Sequence, residues 1–400
     1  MIRLKLPFFF YVIIFMIGII YAFGGVKIIF NLSGWAWFLS FILSLFIILH
    51  DKSRITFPII LWLPWILVVL IYLFLSDYSA LQRSAQLLCP IVVGIAASTF
   101  RLDEEEIDVF IQHCQYLTIV ILLTSSIKSG LLLTGRLPDI TGLATEVITG
   151  SLLASLFATQ YALGYHRALY WWFLMAALPV IAITRTAIVA VGLTLPLNFG
   201  PFKMTKRLLI ISIVCIVGVA VFYSPRVQHK MFHSGQGEMS DVLSEDFSTT
   251  GRYAMWEQFK YKIKEKPWFG YGAGAGEVFA SKITGLPSTY PHNDWYLSLY
   301  DYGIFGTSIF AITILIFSIS LYRYSLFSSG LTKCLFLTGA SSFVPFVLFM
   351  FTDNIMVYAA FFGNLQFTII GVAYGAYQSS YENENIYSAS LLTNTEQITG

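Results

Sequence analysis

The chain has 400 residues, 57% of them hydrophobic and only 12% charged, with a formal net charge of +2. Soluble domains carry about 25% charged residues, so a water-soluble fold is excluded and an all-α, polytopic integral membrane protein is expected. The near-neutral balance offers no basic field to nucleic acid, and Cys89, Cys114, Cys215 and Cys334 lie in apolar runs without CxxC or metal spacing, as packing residues do.

A helix needs about 20 apolar residues to cross a bilayer core. Taken in order, the apolar runs lie near 7–24, 34–50, 57–76, 80–99, 107–127, 144–164, 168–184, 186–200, 207–223, 304–326, 331–351 and 355–377. They are continuous rather than alternating, which speaks for helices and against a β-barrel. About twelve spans result. The first, "PFFFYVIIFMIGIIYAF", reads as a span, since no A-x-A site follows it. The pair 168–184 and 186–200 meets tightly at Arg185.

Lysine and arginine set the direction. With the N-terminus inside, the inner loops hold Lys52, Arg54, Arg101, Arg167, Lys203, Lys206, Arg207, Arg323 and Lys333. The short outer loops hold only Lys27, Lys128 and Arg136. The expected organisation is therefore a transmembrane unit over 1–223, a large periplasmic loop over 224–303, further spans over 304–377, and a polar, disordered cytoplasmic tail over 378–400.

Within the loop, "HSGQGEMSDVLSEDFSTTG" reads as a flexible piece. "RYAMWEQFKYKIKEKPW" then spaces Trp256, Phe259 and Ile263 as a helix does. Such a helix lies either in the membrane interface or on the protein's own outer face. The glycines of "FGYGAGAG" resemble a phosphate cradle but lack the Gly-Lys-Ser/Thr ending, so a turn is the better reading.

Six charged or titratable residues gather at the outer face: Arg83, Glu146, Arg185, Arg252, His292 and Asp353. Arg83 either snorkels outward or serves a site. Asp353 either caps the last span or serves a site. Glu146 is expected as the partner of an arginine. Arg185 stands at the outward-pointing start of its helix, where the dipole is already positive, which suits an anion. His292 differs from the other five histidines in the glycines downstream of it. Gly303 is eleven residues on, nearly three helical turns, so in a continuous helix the two share a face. Gly306 extends that face one turn later, as a strip for close helix packing. No HExxH or acidic cluster suggests a metal, and no cofactor is expected.

Arginine stays charged and grips phosphate oxygens with paired donors, so Arg185 and Arg252 suit a pyrophosphate leaving group. A histidine can take a proton from a hydroxyl. The chemistry these residues allow is transfer of a group from a lipid pyrophosphate to a hydroxyl.

The motifs resemble the bacterial O-antigen ligase and polymerase superfamily, polytopic glycosyltransferases of the GT-C type. The ligase signature is His, then Asn, Ser or Gln, nine residues and G-x-x-G-T. His292, Asn293, "DWYLSLYDY", Gly303, Gly306 and Thr307 match it. "TGRYAMWEQFKYKIKEKPWFGYG", with Arg252, is similar to a second motif, "TRTAIVA" to the one that carries Arg185, and "TDNIM" to the acidic one that carries Asp353. The resemblance implies an inner-membrane enzyme with its active site facing the periplasm. It implies an undecaprenyl-pyrophosphate-linked glycan as donor, gripped by Arg185 and Arg252. His292 is implied as base, with inversion at the anomeric carbon and Asn293 and Asp353 in supporting places. The motifs cover roughly 180–377 and the first half matches in topology only, so Glu146 and Arg83 are expected as supporting residues from their place at the outer face alone. The acceptor is lipid A–core oligosaccharide in a ligase and another lipid-linked repeat unit in a polymerase. The H-N-x9-GxxGT match favours ligase, although polymerases use similar "HND…YGIFG" and "TDN" segments. A flippase or transporter, the rival from another class, collects its charges near the midplane. The large one-sided loop argues against it.

Overall fold

The computed structural model describes residues 27–28, 30–76, 79–133, 144–243, 252–286 and 289–399. The first expected span, 7–24, and part of the expected flexible piece, 244–251, lie outside them. Helices α1 (Leu32–His50), α2 (Ile59–Phe74), α3 (Ser79–Ala97), α4 (Glu104–Leu133) and α5 (Ala144–Ala162) lead to a short pair, α6 (Ala168–Ile181) and α7 (Arg185–Thr194). α8 (Met204–Phe222) precedes three loop helices, α9 (Pro225–Met231), α10 (Arg252–Ile263) and α11 (Ala275–Thr284). The long α12 (Asp294–Leu326), α13 (Gly330–Met350) and α14 (Gly363–Thr399) complete the chain. Among the described residues the strands are one two-residue pair, Lys27–Ile28 with Phe30–Asn31.

Each expected span within the described residues overlaps a helix. Five of these helices are long and apolar enough to cross a membrane: α3, α4, α8, α12 and α13. α6 and α7 rise only about 21 Å and about 15 Å, so neither crosses a core of about 30 Å alone. The last expected span starts later than read, at Gly363, because residues 351–362 form a chain of turns. The tail expected to be disordered continues α14 to Thr399. No glycine or proline interrupts 376–399, so a helix already anchored in the core propagates through it.

Side-chain size sorts the helices. α5 is rich in Ala, Ser, Thr and Gly and is buried along most of its length; small residues let neighbouring backbones approach closely. α8 is an Ile/Val/Leu run with no buried residue, as a lipid-facing helix is. At the centre, Trp62 of α2 meets Phe317 of α12 and Phe367 of α14 edge-on, at ring distances of 5.2 and 5.1 Å.

α12 is not continuous. Asn293 caps it, its Oδ1 accepting from Tyr296 N at 2.9 Å. At Gly303 the backbone turns to φ 65°, ψ −172° and the helix breaks. The loop 267–272 fills the break. Tyr271 N and Gly272 N donate to the carbonyls of Tyr300 and Asp301 at 2.8 and 3.0 Å, while Ile304 N and Phe305 N donate to those of Pro267 and Trp268 at 2.7 and 3.1 Å. A Cβ on Gly303 would lie 2.4 Å from the Trp268 carbonyl. This corrects the shared-face reading: Gly303 admits a loop backbone rather than a helix, and His292 and Gly303 are not joined by three regular turns. Gly306, beyond the break, faces Val68 of α2.

The same contact explains "FGYGAGAG". Asp301 accepts from Gly276 N at 2.7 Å and from Gly274 N at 3.1 Å. The anion at the start of α11 is thus the chain's own carboxylate. Of the two readings for α10, the protein's own face holds. Phe259 is fully buried with Ala280 and Tyr300, and Trp256 Nε1 donates to Pro291 O at 2.7 Å.

Candidate active site

Three elements converge on the turn after α13. Thr352 holds two of them, and Asp353 and Asn354 together face the third. Arg252 opens α10 and donates from Nη1 to Thr352 O at 2.6 Å. Thr186, next to Arg185 in the first turn of α7, meets Thr352 Oγ1 through its own Oγ1 at 2.5 Å. His292 faces the two following side chains: its Nδ1 lies 3.4 Å from Asp353 Oδ1 and 3.2 Å from Asn354 Nδ2. The two contacts call for opposite tautomers. A proton on Nδ1 suits Asp353 and leaves Nε2 as a free base, and Asn354 then needs its oxygen toward the ring. That oxygen is buried and has no hydrogen-bond partner.

His292 is held from both sides. It adopts φ 51°, one of two non-glycine residues with positive φ among the described residues. Its neighbour Pro291 accepts from Trp256, and Asn293 Nδ2 donates to Phe351 O at 2.9 Å. The imidazole remains 40% exposed, so a substrate can reach it.

Ile183, the other positive-φ residue, lies two positions before Arg185. Its carbonyl accepts from Lys230 Nζ at 2.8 Å. Lys230 was not singled out in the sequence. It lies in the last turn of the seven-residue α9, whose Val227 and Met231 anchor to Ile183, Val221 and Phe222. Lys230 is exposed as a residue. Partial burial of its ammonium comes first, and the charges of Arg185 and Arg252 second, in pulling its pKa below the usual lysine value. Three cations therefore sit within electrostatic reach of one another, and one of them, Arg252, holds the turn that faces the imidazole.

Arg83 does not snorkel. It is buried, with Nη2 4.0 Å from Asp294 Oδ1, and Asp294 Oδ2 accepts from Met356 N at 2.7 Å. Arg83 thereby ties α3 to the first turn of α12 and to the 351–362 segment, behind the histidine. Glu146 is also buried, but among the described residues it pairs with Lys128 and Thr145 rather than with an arginine. Asp294 follows His292 and Asn293 directly, and Asn354 follows Asp353, so adjacency to the motifs was the available signal for both. Lys230 had none.

Residues 171–311 match the family model described as O-antigen ligase. The resemblance to the O-antigen ligase and polymerase superfamily holds. The O-antigen ligase match takes in Arg185, Lys230, Arg252 and His292, and leaves Arg83, Glu146 and Asp353 outside. No curated protein matches the chain.

Proposed function

We propose that this protein is an O-antigen ligase. It transfers an undecaprenyl-pyrophosphate-linked polysaccharide to a hydroxyl of lipid A–core oligosaccharide, at the periplasmic face of the bacterial inner membrane, on a scaffold of about twelve spans. The observation that supports it most is the turn 352–354, which receives Arg252 and an accessible His292 and, through Thr186, the start of the helix that carries Arg185, with Arg185 and Lys230 within electrostatic reach of Arg252.

The roles rest on the chemistry of the groups. With Nδ1–H directed to Asp353, Nε2 of His292 takes the proton of the acceptor hydroxyl. The hydroxyl oxygen forms the new bond to the anomeric carbon as the bond to the pyrophosphate oxygen breaks on the opposite face. The configuration inverts, and the electron pair leaves with undecaprenyl pyrophosphate. Arg185, Arg252 and Lys230 stabilise that charge, so the step needs no metal. Asp353 holds the tautomer and stabilises the imidazolium. Asn293 and the Arg83–Asp294 pair hold the histidine's backbone.

Deletion of the gene separates the readings. Loss of all O-chains from the core, with lipid-linked polymer accumulating, means ligase. Core bearing a single repeat means polymerase, the reading the "HND" and "TDN" segments also fit. Unchanged lipopolysaccharide removes both.

A further inference from the structure

At the end of α12 remote from His292, an open cavity of about 280 Å³ lies among α8, the end of α12 and the start of α13. Phe199, Tyr322, Leu326 and Leu337 make its apolar and aromatic wall, and Arg207 and Lys333 bring two positive charges. Among the described residues no carboxylate lines it. Glu104, the acid that reaches the start of α13, is spent as a cap on Leu331 N at 2.9 Å.

Arg207 is fixed in place. Its Nη1 donates to Pro196 O at 3.1 Å, and its Nη2 donates to Asn198 O and Gly200 O at 2.9 and 3.2 Å. Carbonyls orient the guanidinium without neutralising it. Lys333 is half-buried, and among the described residues its ammonium has no hydrogen bond or ion pair. Lys206 lies beside this end of α8, over the Tyr161 ring at 4.1 Å. A half-enclosed pair of cations without an acid calls for an anion. Directly beside it starts α8, whose apolar length is left entirely unburied by the protein. An anionic group at the cavity and apolar chains along the helix is the form of a phospholipid, and basic pockets between membrane helices take such head-groups.

We propose that this cavity binds the phosphate head-group of an anionic phospholipid in the leaflet opposite the His292 site, with Lys333 and Arg207 on the phosphate and the acyl chains along α8. The proposal needs only that these helices span a bilayer and does not rest on the transfer reaction.

Native mass spectrometry of the full chain released from detergent, with dioleoylphosphatidylglycerol or dioleoylphosphatidylcholine added, tests it. Arg207→Gln would free three loop carbonyls and so perturb folding, whereas Lys333→Gln breaks no side-chain hydrogen bond or ion pair among the described residues. The wild type is expected to retain phosphatidylglycerol over phosphatidylcholine. Lys333→Gln should retain it about fivefold less well, the effect of one lysine near a lipid surface, and Lys333→Arg should restore it. Equal retention by the wild type and Lys333→Gln overturns the site. Retention of inorganic phosphate with no preference between the lipids overturns the lipid assignment.

Discussion

Arg252 Nη1 lies 2.6 Å from the carbonyl oxygen of Thr352, one residue before the acid that faces His292. One hydrogen bond therefore couples the start of a loop helix to the turn that orients the imidazole. On the proposed reading, a change at the arginine is felt at the histidine as well as at the donor's phosphate.

For this reason Arg252→Lys fails twice. A lysine presents a point charge rather than a fork, and it does not reproduce the bond to Thr352. Loss of one charged hydrogen bond, about 1.5–3 kcal/mol, lowers kcat/KM for glycan transfer by about 10- to 100-fold. In-vitro transfer with purified lipid-linked donor measures it, and near-wild-type turnover would argue against pyrophosphate binding here.

His292→Asn retains expression and membrane insertion, because asparagine tolerates the positive φ at that position. Transfer falls by about 10²–10⁴-fold, the usual contribution of a general base. Normal transfer by this variant would sink the base assignment.

On the proposed reading, Lys230 is expected to carry the pH dependence of donor binding. In the empty protein its pKa is lowered by burial and then by Arg185 and Arg252, so the protonated form is disfavoured there. The sign for stability is therefore fixed: the cost of holding the charge is present below the folded-state pKa and disappears as pH rises toward the usual value, about 10.4. A bound phosphate reverses the preference. Affinity for inorganic pyrophosphate is full below the folded-state pKa and falls as pH rises through it. Calorimetric titration across that window checks this. In Lys230→Arg, charged throughout, the fall moves to higher pH; an unshifted profile removes Lys230 from the site.

Gly303→Ala strikes the fold rather than the chemistry. The backbone there is in a region essentially restricted to glycine, and the new methyl would meet the Trp268 carbonyl at 2.4 Å. Destabilisation of about 3 kcal/mol or more is expected. It is read as a lowered melting midpoint of the detergent-purified protein. An unchanged midpoint means the loop 267–272 does not depend on this close approach.

Glu146→Gln separates structure from site. It breaks a buried pair with Lys128, at a cost of about 2 kcal/mol, while Arg185, Arg252 and His292 keep their contacts. Thermal stability should drop and activity per folded molecule should stay near wild type. A large fall in turnover with normal stability would place Glu146 in the reaction path instead.

The sequence by itself determined the class, the helices and the motif residues. A composition this apolar and this poor in charge has one solvent it can fold in, and apolar run length is a local property that needs no knowledge of neighbours. The H-N-x9-GxxGT spacing and the arginine motifs were readable for the same reason. Tertiary structure alone decided the rest, because it depends on which backbones meet. Gly303 looked like a packing glycine in a regular helix until the loop 267–272 was seen to pair with the helix across the break. Sequence leaves Arg83 either to snorkel or to serve a site, and Asp294 behind it decides against snorkelling. Lys230 carried no motif at all, and only the fold of a seven-residue helix against Ile183 brings its ammonium within reach of two arginines that lie 45 and 22 positions away in the chain.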